Sequence, residues 1–417
     1  MRERSINLLS ACFGAAFLAG CGMGNVSPST ASQAGGRAAA STLFSTARPA
    51  PQVRGGYHVL YDFSNKKEQD PTGAEPASGL LDIDGTFYGT TIEGVDGGYG
   101  AVFSVTPSGK ANLIYAFKGP PSDGEMPMAG LIEVNGALYG TTFNGGRSDN
   151  GIVFKISLPS GIETVLYSFK GRPDGAMPRA GLTEVNGMLY GTTITAGANG
   201  LGAVFKITTS GHESVLYSFK SNAIDGYTPY AGLVNVKGTL FGTTLVGGIA
   251  GNGTVFKVTT SGKEKPIYSF QDAPDGAKPY AGLIEVNGAL YGTTVGGGTY
   301  GEGSVFTVTT SGKTERVLHS FVMSKKDGIQ PVASLLELKD SLYGTTTLGG
   351  TYSEGTIFKI PTAGGSDCVV HSFGAYLDGI EPQAGLTNVA GTLYGTTEFG
   401  GTGSGDGTVF SLAADGC

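Results

Sequence analysis

The sequence predicts an all-β protein, a seven-bladed β-propeller with four antiparallel strands in each blade. Three observations predict this fold. The 417 residues include 72 Gly and 19 Pro, and the residues between them are rich in the β-formers Val, Ile, Tyr, Phe and Thr. The phrase "YGTT" or "FGTT" recurs seven times at a nearly constant spacing. The two ends of the repeated region carry incomplete repeats that complement each other.

Residues 1–20 are predicted to be a signal peptide. Arg2 and Arg4 precede the apolar run "INLLSACFGAAFLAG", which is too short to span a bilayer comfortably. The run ends in "LAGC", which resembles the lipobox of bacterial lipoproteins, and this resemblance implies that Cys21 is lipidated and becomes the new N-terminus. The alternative is an ordinary secretory peptide in which the cysteine is a coincidence.

Residues 21–55 are rich in Ser, Ala, Gly and Pro and are predicted to form a flexible tether to a domain at 56–417. Loss of residues 1–20 changes the formal net charge from −7 to −8. A mildly acidic chain argues against nucleic acid as a partner and leaves the N-terminal lipid as the contact with the membrane. Gly22 follows Cys21 where Asp would indicate retention at the inner membrane, so we expect an outer-membrane or cell-surface location.

The repeat is measured from the aromatic residue of the "YGTT" phrase, and successive markers lie 50 to 52 residues apart. The seven markers are Tyr88, Tyr139, Tyr190, Phe241, Tyr291, Tyr343 and Tyr394. Each unit contains four strand-like segments. In the second unit these are "MAGLIEV", "ALYGTT", "GIVFKIS" and "ETVLYSF". Asn135-Gly136 joins the first two, and this dipeptide strongly predicts a two-residue hairpin. Four strands about every 50 residues are typical of a propeller blade.

The chain ends predict how the ring closes. The first segment, "HVLYDF" at residues 58–63, reads as a fourth strand with no blade before it. The last, "GTVFSL" at residues 407–412, reads as a third strand with no fourth strand after it. We therefore expect residues 58–63 to complete the seventh blade, which removes exposed strand edges.

The unit "AGL…NGxLYGTTxxGG…GxVFKI…SG…LYSF…DGxxP" resembles the GloVer (Gloeo/Verruco) tandem repeat of exported bacterial proteins. The resemblance covers about 360 residues. It implies a repeat protein outside the cytoplasm and supplies no reaction or catalytic residue. The chain contains no Trp, which departs from kelch, WD-repeat and Asp-box propellers, so the functions of those families are not carried over.

Loops that join the second and third strands share a face with the loops between blades, and that face is expected to carry function. The aspartates of the "DGxxP" loops, Asp123, Asp174, Asp225, Asp275, Asp327 and Asp378, could hold cations, but turn capping explains an Asp before Gly better. His319 and His371 occupy the position of tyrosines in "LYSF" and are read as their substitutes. No catalytic residue, metal site or cofactor is predicted.

The most informative position is the residue just before "AG", which should lie at the mouth of the central channel. Across the seven units it is Ala77, Met128, Arg179, Tyr230, Tyr280, Val332 and Gln383. Arg179, Tyr230, Tyr280 and Gln383 are the candidate ligand-binding residues, because a cation beside two amphipathic aromatics could bind a glycan, a peptide or an anionic group. The simpler alternative is that these side chains only cover the loop surface. No carboxylate pair is evident at this position.

Two cysteines follow the predicted lipidation site. Cys368 and Cys417 lie beside equivalent turns of neighbouring repeats and are candidates for a disulfide, since an exported protein permits one. The sequence alone does not establish whether their Cα atoms approach closely enough.

These observations favour a lipid-anchored propeller that acts as a non-enzymatic binding or interaction scaffold at the cell envelope. Its partner would be an envelope or extracellular protein, peptide or glycan. The main alternative is a propeller-type hydrolase or lyase that acts on such a glycan or peptide. A purely structural surface scaffold is a third.

Overall fold

The computed structural model describes residues 56–63, 72–94, 98–271, 273–375, 377–402 and 405–414. These residues form 41 β-strands joined by turns. None of the described segments forms a helix long and apolar enough to cross a membrane. The predicted signal peptide and tether, residues 1–20 and 21–55, lie outside the described residues.

Seven antiparallel sheets form the seven blades, as the sequence predicts, and each contains four blade strands, with a fifth short strand added in blade 1. Blade 1 contains the strands Leu81–Ile83, Thr86–Glu93, Ala101–Val105 and Ala111–Ala116, and blade 2 contains Ile132–Val134, Ala137–Thr142, Ile152–Ser157 and Ile162–Ser168. Blade 3 contains Thr183–Val185, Met188–Thr193, Ala203–Thr208 and Glu213–Ser218, and blade 4 contains Val234–Val236, Thr239–Thr244, Thr254–Thr259 and Glu264–Ser269. Blade 5 contains Ile284–Val286, Ala289–Thr294, Ser304–Thr309 and Glu315–Ser320, blade 6 contains Leu336–Leu338, Ser341–Thr346, Thr356–Pro361 and Cys368–Ser372, and blade 7 contains Thr387–Val389, Thr392–Thr397, Thr408–Ala413 and His58–Asp62.

The sequence did not predict the short two-stranded ribbons that stand on one end of the blades. The residues after each inter-blade Asp pair with the residues that follow "TT", so segments read as loops are ordered β-structure. The pairs are Gly124–Glu125 with Asn144–Gly145, Gly175–Ala176 with Thr195–Ala196, Gly226–Tyr227 with Val246–Gly247, Gly276–Ala277 with Gly296–Gly297, Gly328–Ile329 with Leu348–Gly349, and Gly379–Ile380 with Phe399–Gly400. In blade 1 the strand Ala74–Pro76 pairs directly with Thr86–Glu93.

The position after Tyr in "YGTT" requires glycine because the phenylalanine of the third strand occupies the space of a side chain. Gly140 lies opposite Phe154 in the sheet, and a Cβ at Gly140 would lie 2.5 Å from the Cζ atom of that ring. The same contact recurs in all seven blades, with the added Cβ at 2.5 to 2.8 Å from the phenylalanine Cζ atom. A side chain at this position would displace a ring that is buried in the core, so the repeat requires glycine.

Neighbouring blades pack through pairs of phenylalanines. The Phe that directly follows the fourth strand of one blade packs edge-on against the third-strand Phe of the next, with ring centroids 5.0 to 5.3 Å apart. Phe117 and Phe154 form one such pair. An aromatic pair contributes roughly 0.5–1.5 kcal/mol beyond its area burial. Seven pairs form a continuous hydrophobic layer around the ring.

A second set of contacts joins the blades nearer the axis. The first Thr of each "GTT" donates its hydroxyl to the carbonyl of the residue before the small residue of the next unit, at 2.9 to 3.4 Å. Thr345, which donates to the Ala384 carbonyl at 3.2 Å, is an example. These threonines are buried, with exposed fractions of 0 to 2%. The repeated phrase is therefore the joint between blades.

The ring closes as the chain ends predict. His58–Asp62 pairs antiparallel with Thr408–Ala413 and supplies the fourth strand of blade 7. The closing strand ends one residue earlier than predicted, but Phe63 is buried, and its N–H donates to the Gly407 carbonyl at 2.9 Å. Phe63 then packs against Phe103 of blade 1 with ring centroids 5.0 Å apart.

We expect Thr345→Val to lower the free energy of unfolding by about 1–3 kcal/mol, because the variant keeps the side-chain shape but loses the buried hydrogen bond to the next blade. A urea titration followed by circular dichroism measures this loss. The control is Thr351→Val, since Thr351 is exposed in a loop of the same blade. Its effect should stay within about 0.5 kcal/mol. Equal stability of Thr345→Val and wild type would contradict a stabilising role for these hydrogen bonds.

Candidate functional site

The two ends of the ring differ. One end, here called the turn face, carries the two-residue hairpins between first and second strands and the short turns between third and fourth strands. In these hairpins Asn135 and Gly136 both have positive φ, at 52° and 76°. The other end, here called the ribbon face, carries the two-stranded ribbons and the connections between blades. The ribbon face has more irregular backbone and more exposed side chains, so it offers more room for a site.

The small residue of "AGL" lines the axis of the ring. A Cβ at Gly181 would lie 3.0 Å from the Gly130 carbonyl oxygen, and one at Gly130 would lie 3.9 Å from the Gly79 carbonyl oxygen. The contacts continue from blade to blade until they close the circle. The seven residues are Gly79, Gly130, Gly181, Gly232, Gly282, Ser334 and Gly385. The backbone therefore forms the narrow part of the channel, and the residue two positions earlier lies at the channel mouth.

Three of the predicted residues meet at this mouth. The Arg179 Cζ atom lies 4.9 Å from the ring centroid of Tyr230 and 4.8 Å from that of Tyr280. The two tyrosine rings are 4.6 Å apart and tilted by 41°. A guanidinium over aromatic rings is attracted by their quadrupoles, which holds the Arg side chain in one orientation. Tyr280 is buried, with 9% exposure, and this burial raises the pKa of its hydroxyl while the Arg179 charge lowers it.

The Arg179 guanidinium keeps its donors available. Among the described residues it forms no hydrogen bond and no ion pair, and its contacts are with the two rings. Arg172, on the same face, differs because it donates to the Ala198 carbonyl at 2.7 Å. Arg carries five N–H donors that match a planar oxyanion. Arg179 is thus an oriented cation in a partly buried mouth.

Gln383 forms a hydrogen bond with a residue that the sequence analysis did not identify. Its Nε2 atom donates to an oxygen of Glu398, which directly follows "YGTT" in blade 7. The equivalent residues in the other six blades are Ile92, Phe143, Ile194, Leu245, Val295 and Thr347, so Glu398 is the one carboxyl at this position. A comparison of the position after "GTT" across the repeats would have found it. The candidate residues predicted from the sequence are limited to the position before "AG" and therefore do not include Glu398.

Two further carboxyls lie near Glu398. Burial, followed by the charges of Glu75 and Glu381, raises the pKa of Glu398 to about 8, although the Arg179 charge opposes this shift. Burial and the nearby Glu93 and Asp406 raise the pKa of Glu75 to about 7. The residues before "AG" include no carboxyl, but the folded ring places the carboxyls of Glu75 and Glu381 close to that of Glu398. These side chains come from several positions of the repeat, and only the folded ring brings them together.

The match to a family model follows the repeat along the chain. The Gloeobacter/Verrucomicrobia repeat matches residues 30–193, 75–285 and 247–416. The chain belongs to the Gloeobacter/Verrucomicrobia repeat family. No curated protein sequence matches it.

Solved structures resemble this Gloeobacter/Verrucomicrobia repeat protein in fold. The extracellular domain of a hybrid two-component system from B. thetaiotaomicron matches with a TM-score of 0.56 and 10% identity, over 85% of this chain and 39% of that chain. An oligogalacturonate lyase in complex with manganese matches with a TM-score of 0.50 and 11% identity, over 82% of this chain and 89% of that chain. At these identities the likeness shows the propeller fold alone.

In this repeat protein the inter-blade aspartates serve as turn caps, the structural role preferred from the sequence. Asp123 accepts the Gly124 N–H at 2.7 Å and the Lys118 N–H at 2.8 Å. It also accepts the Tyr115 hydroxyl at 2.8 Å, a contact that the sequence did not reveal. The Tyr115 hydroxyl faces Glu163 of the next blade as well. We call this group of Tyr, Asp and Glu side chains an inter-blade clasp.

Four complete clasps lie at the outer rim, and in each the half-buried Glu has a pKa raised to about 7. Burial is the main cause, and the clasp Asp adds a smaller contribution. The clasps are Tyr115, Asp123 and Glu163, then Tyr167, Asp174 and Glu213, then Tyr217, Asp225 and Glu264, and finally Tyr268, Asp275 and Glu315.

His319 and His371 take the place of Tyr in the next two clasps, as predicted. The Nε2 atom of His371 lies 2.9 Å from Asp378, and that of His319 lies 3.2 Å from Asp327. The Nδ1 atom of His319 lies 3.6 Å from Asp367. The two carboxylates thus approach opposite nitrogens of one imidazole ring. They fit a charged imidazole better than a shared metal ion, and together they raise the pKa of His319 although burial lowers it.

The remaining predicted sites concern cysteines. Cys21, the predicted lipidation site, and Cys417 lie outside the described residues. Cys368 begins the fourth strand of blade 6 and is disulfide-bonded.

The clasp glutamates predict how stability depends on pH. Their pKa is about 7 in the folded chain and near the ordinary value of 4.5 when unfolded, so the folded state binds more protons between these values. The stability contributed by protonated clasps is complete below about pH 4.5 and lost as the pH rises through 7. We expect the melting temperature to fall between about pH 5 and pH 8, and a variant with Gln at residues 163, 213, 264 and 315 to show a smaller fall.

The control variant carries Gln at residues 133, 184, 285 and 337, which removes four carboxylates from the hairpins of the turn face. This variant should keep the wild-type dependence on pH. Identical melting profiles for wild type and the clasp variant would show that the clasps do not titrate in this range.

Proposed function

We propose that this propeller is a lipid-anchored binding module at the cell envelope that holds a ligand at the channel mouth of its ribbon face. The observation that carries the proposal is the Arg179 guanidinium, which lies against Tyr230 and Tyr280 with its N–H donors available. Ligand sites combine aromatic surface with a few oriented polar groups in a concave place. The mouth has this composition in blades 3 to 5, where the repeat departs from its own pattern.

The position of the chain ends supports the same proposal. Gly56 lies beside Ala413, where an added Cβ would be 3.8 Å from the Ala413 Cβ atom. The Ala414 N–H donates to the carbonyl of Gly391, which belongs to a hairpin of the turn face. The chain therefore enters the ring at the turn face. A lipid on Cys21 would be joined through residues 21–55 to the end of the ring opposite the candidate site.

The alternative is a propeller-type hydrolase or lyase acting on an envelope or extracellular glycan or peptide. The observation that favours it is Glu398, because a carboxyl group with a pKa of about 8 holds a proton at neutral pH and could act as a general acid. The non-enzymatic proposal is preferred because ligand binding alone accounts for a guanidinium oriented against two tyrosine rings. Product formation from a glycan or peptide, lost in Glu398→Gln, would favour the enzyme.

Binding is tested with arrays of envelope glycans and peptides. We expect Arg179→Ala with Tyr230→Ala to weaken binding of the captured ligand by roughly 10- to 100-fold, because a hydrogen bond to a charged group contributes about 1.5–3 kcal/mol. The Kd is measured by calorimetry. Arg147→Ala is the control, since Arg147 is an exposed arginine of the same face in blade 2. Equal affinities of the double variant and wild type would remove the mouth as the site.

The anchor is tested separately. Cys21→Ser should release the protein from the membrane fraction, because the N-terminal acyl chains are the proposed membrane contact. Fractionation of cell extracts followed by immunoblotting measures this, with Cys368→Ser as the control. Membrane attachment that persists in Cys21→Ser would contradict the lipid anchor.

A further inference from the structure

The chemistry of the mouth indicates which ligand it would take, and this inference rests on the proposed binding function. Arg179 is the only cationic side chain among the seven residues before "AG". Its guanidinium is oriented by Tyr230 and Tyr280 at 4.9 and 4.8 Å and forms no hydrogen bond or ion pair within the described ranges. A pre-oriented guanidinium with available donors recognises a carboxylate through two parallel hydrogen bonds and loses little side-chain entropy.

A second polar pair lies at the same mouth. Gln383 donates to Glu398, and Arg179 is close enough to Glu398 for its charge to lower the pKa of that carboxyl. The net effect of the surroundings is still a pKa of about 8, so Glu398 is mostly neutral at pH 7. A neutral carboxyl both donates and accepts hydrogen bonds, as an amide does. The pair can therefore bind hydroxyl groups without repelling a nearby anion.

The charged groups around Glu398 come from three blades and set its response to pH. They are Glu75, Glu381 and Arg179, and in turn Glu93 and Asp406 face Glu75 while Glu354 faces Glu381. When Glu398, Glu75 and Glu381 lose their protons, the mouth beside Arg179 becomes more negative. An anionic ligand would then bind less well, whereas a cationic ligand would bind better.

The mouth therefore presents guanidinium, phenol, amide and neutral carboxyl groups. Such a lining matches a molecule that presents several hydroxyls beside one oxyanion. The charge of Arg179 would repel a basic ligand. A polyphosphate or nucleic acid would be repelled by the acidic residues beside this one arginine, in a chain of net charge −7.

We propose that the channel mouth binds an acidic sugar, with the sugar carboxylate on Arg179, its hydroxyls on Gln383 and Glu398, and its ring beside Tyr230. A uronic acid residue of an oligosaccharide has this chemistry. A sulfated sugar offers an oxyanion of similar size, and the experiment separates the two sources.

The test measures Kd by calorimetry for a galacturonate trisaccharide, a neutral galactose trisaccharide, a sulfated galactose trisaccharide and a chitosan trisaccharide, at about pH 6 and about pH 8.5. We expect the galacturonate probe to bind at pH 6 at least about tenfold more tightly than the neutral probe, with weaker binding at pH 8.5. Glu398→Gln should reduce the dependence on pH, because the amide stays neutral. Arg179→Ala should remove the preference for the charged probe, and Arg147→Ala should keep it.

Tighter binding of the sulfated than of the galacturonate probe would assign the site to sulfated sugars. It would overturn the proposal that Arg179 binds a sugar carboxylate. Equal binding of neutral and charged probes, tighter binding at high pH, or preference for chitosan or for a carboxylate-terminated peptide would overturn the acidic sugar. If such a ligand still depends on Arg179 and Tyr230, the proposed binding function stands. If no glycan or peptide depends on them, the proposed function fails as well.

Melting temperatures check that each variant is folded. Arg179→Lys, which keeps the charge but loses the planar donors, should bind the galacturonate probe with intermediate affinity.

Discussion

The hydrogen bond from the first Thr of each "GTT" to the next unit is the interaction on which the ring depends. It is formed at all seven junctions, between buried groups and near the axis, where the backbones of adjacent blades approach each other most closely. A buried carbonyl without a partner costs free energy, so each junction also disfavours any other blade spacing. The glycine beside this Thr leaves room for the third-strand Phe, and that Phe packs against the preceding blade. The four residues "YGTT" thus supply part of the second strand, the space for the core Phe and the hydrogen bond to the next blade.

A ring built this way separates scaffold from site. Residues that recur in the repeat, such as Thr345 or the clasp Asp123, have their side-chain oxygens hydrogen-bonded within the scaffold. Residues that differ between blades are free of that constraint, and they collect at the mouth because equivalent positions of seven blades converge on one axis. Arg179 and Glu398 are such departures. Convergence on an axis is a property of the closed ring, and no single repeat possesses it.

The clasps illustrate how burial of acids serves the scaffold. Tyr115, Asp123 and Glu163 come from a fourth strand, a connection and the next fourth strand, so each clasp ties two blades at the outer rim. Burial and, to a smaller extent, the neighbouring Asp raise the pKa of the Glu, which therefore retains its proton to higher pH. Where His319 replaces Tyr, an imidazole lies between Asp327 and Asp367, and these two carboxylates raise its pKa although burial lowers it. The position of the ring in the clasp is kept while its hydrogen-bonding group is changed.

The sequence by itself determined the all-β class, the seven blades, the strand order and the closure by the N-terminal strand, because these follow from a repeated pattern of turns and alternating side chains. It also indicated where the repeats disagree, and so pointed to Arg179, Tyr230, Tyr280 and Gln383. Only the tertiary structure decided that Glu75, Glu381 and Glu398 lie near Arg179, that the clasps exist, and that the segments after "TT" pair as ribbons. These features depend on contacts between positions of different repeats, and spacing along the chain carries no information on which side chains meet across a closed ring.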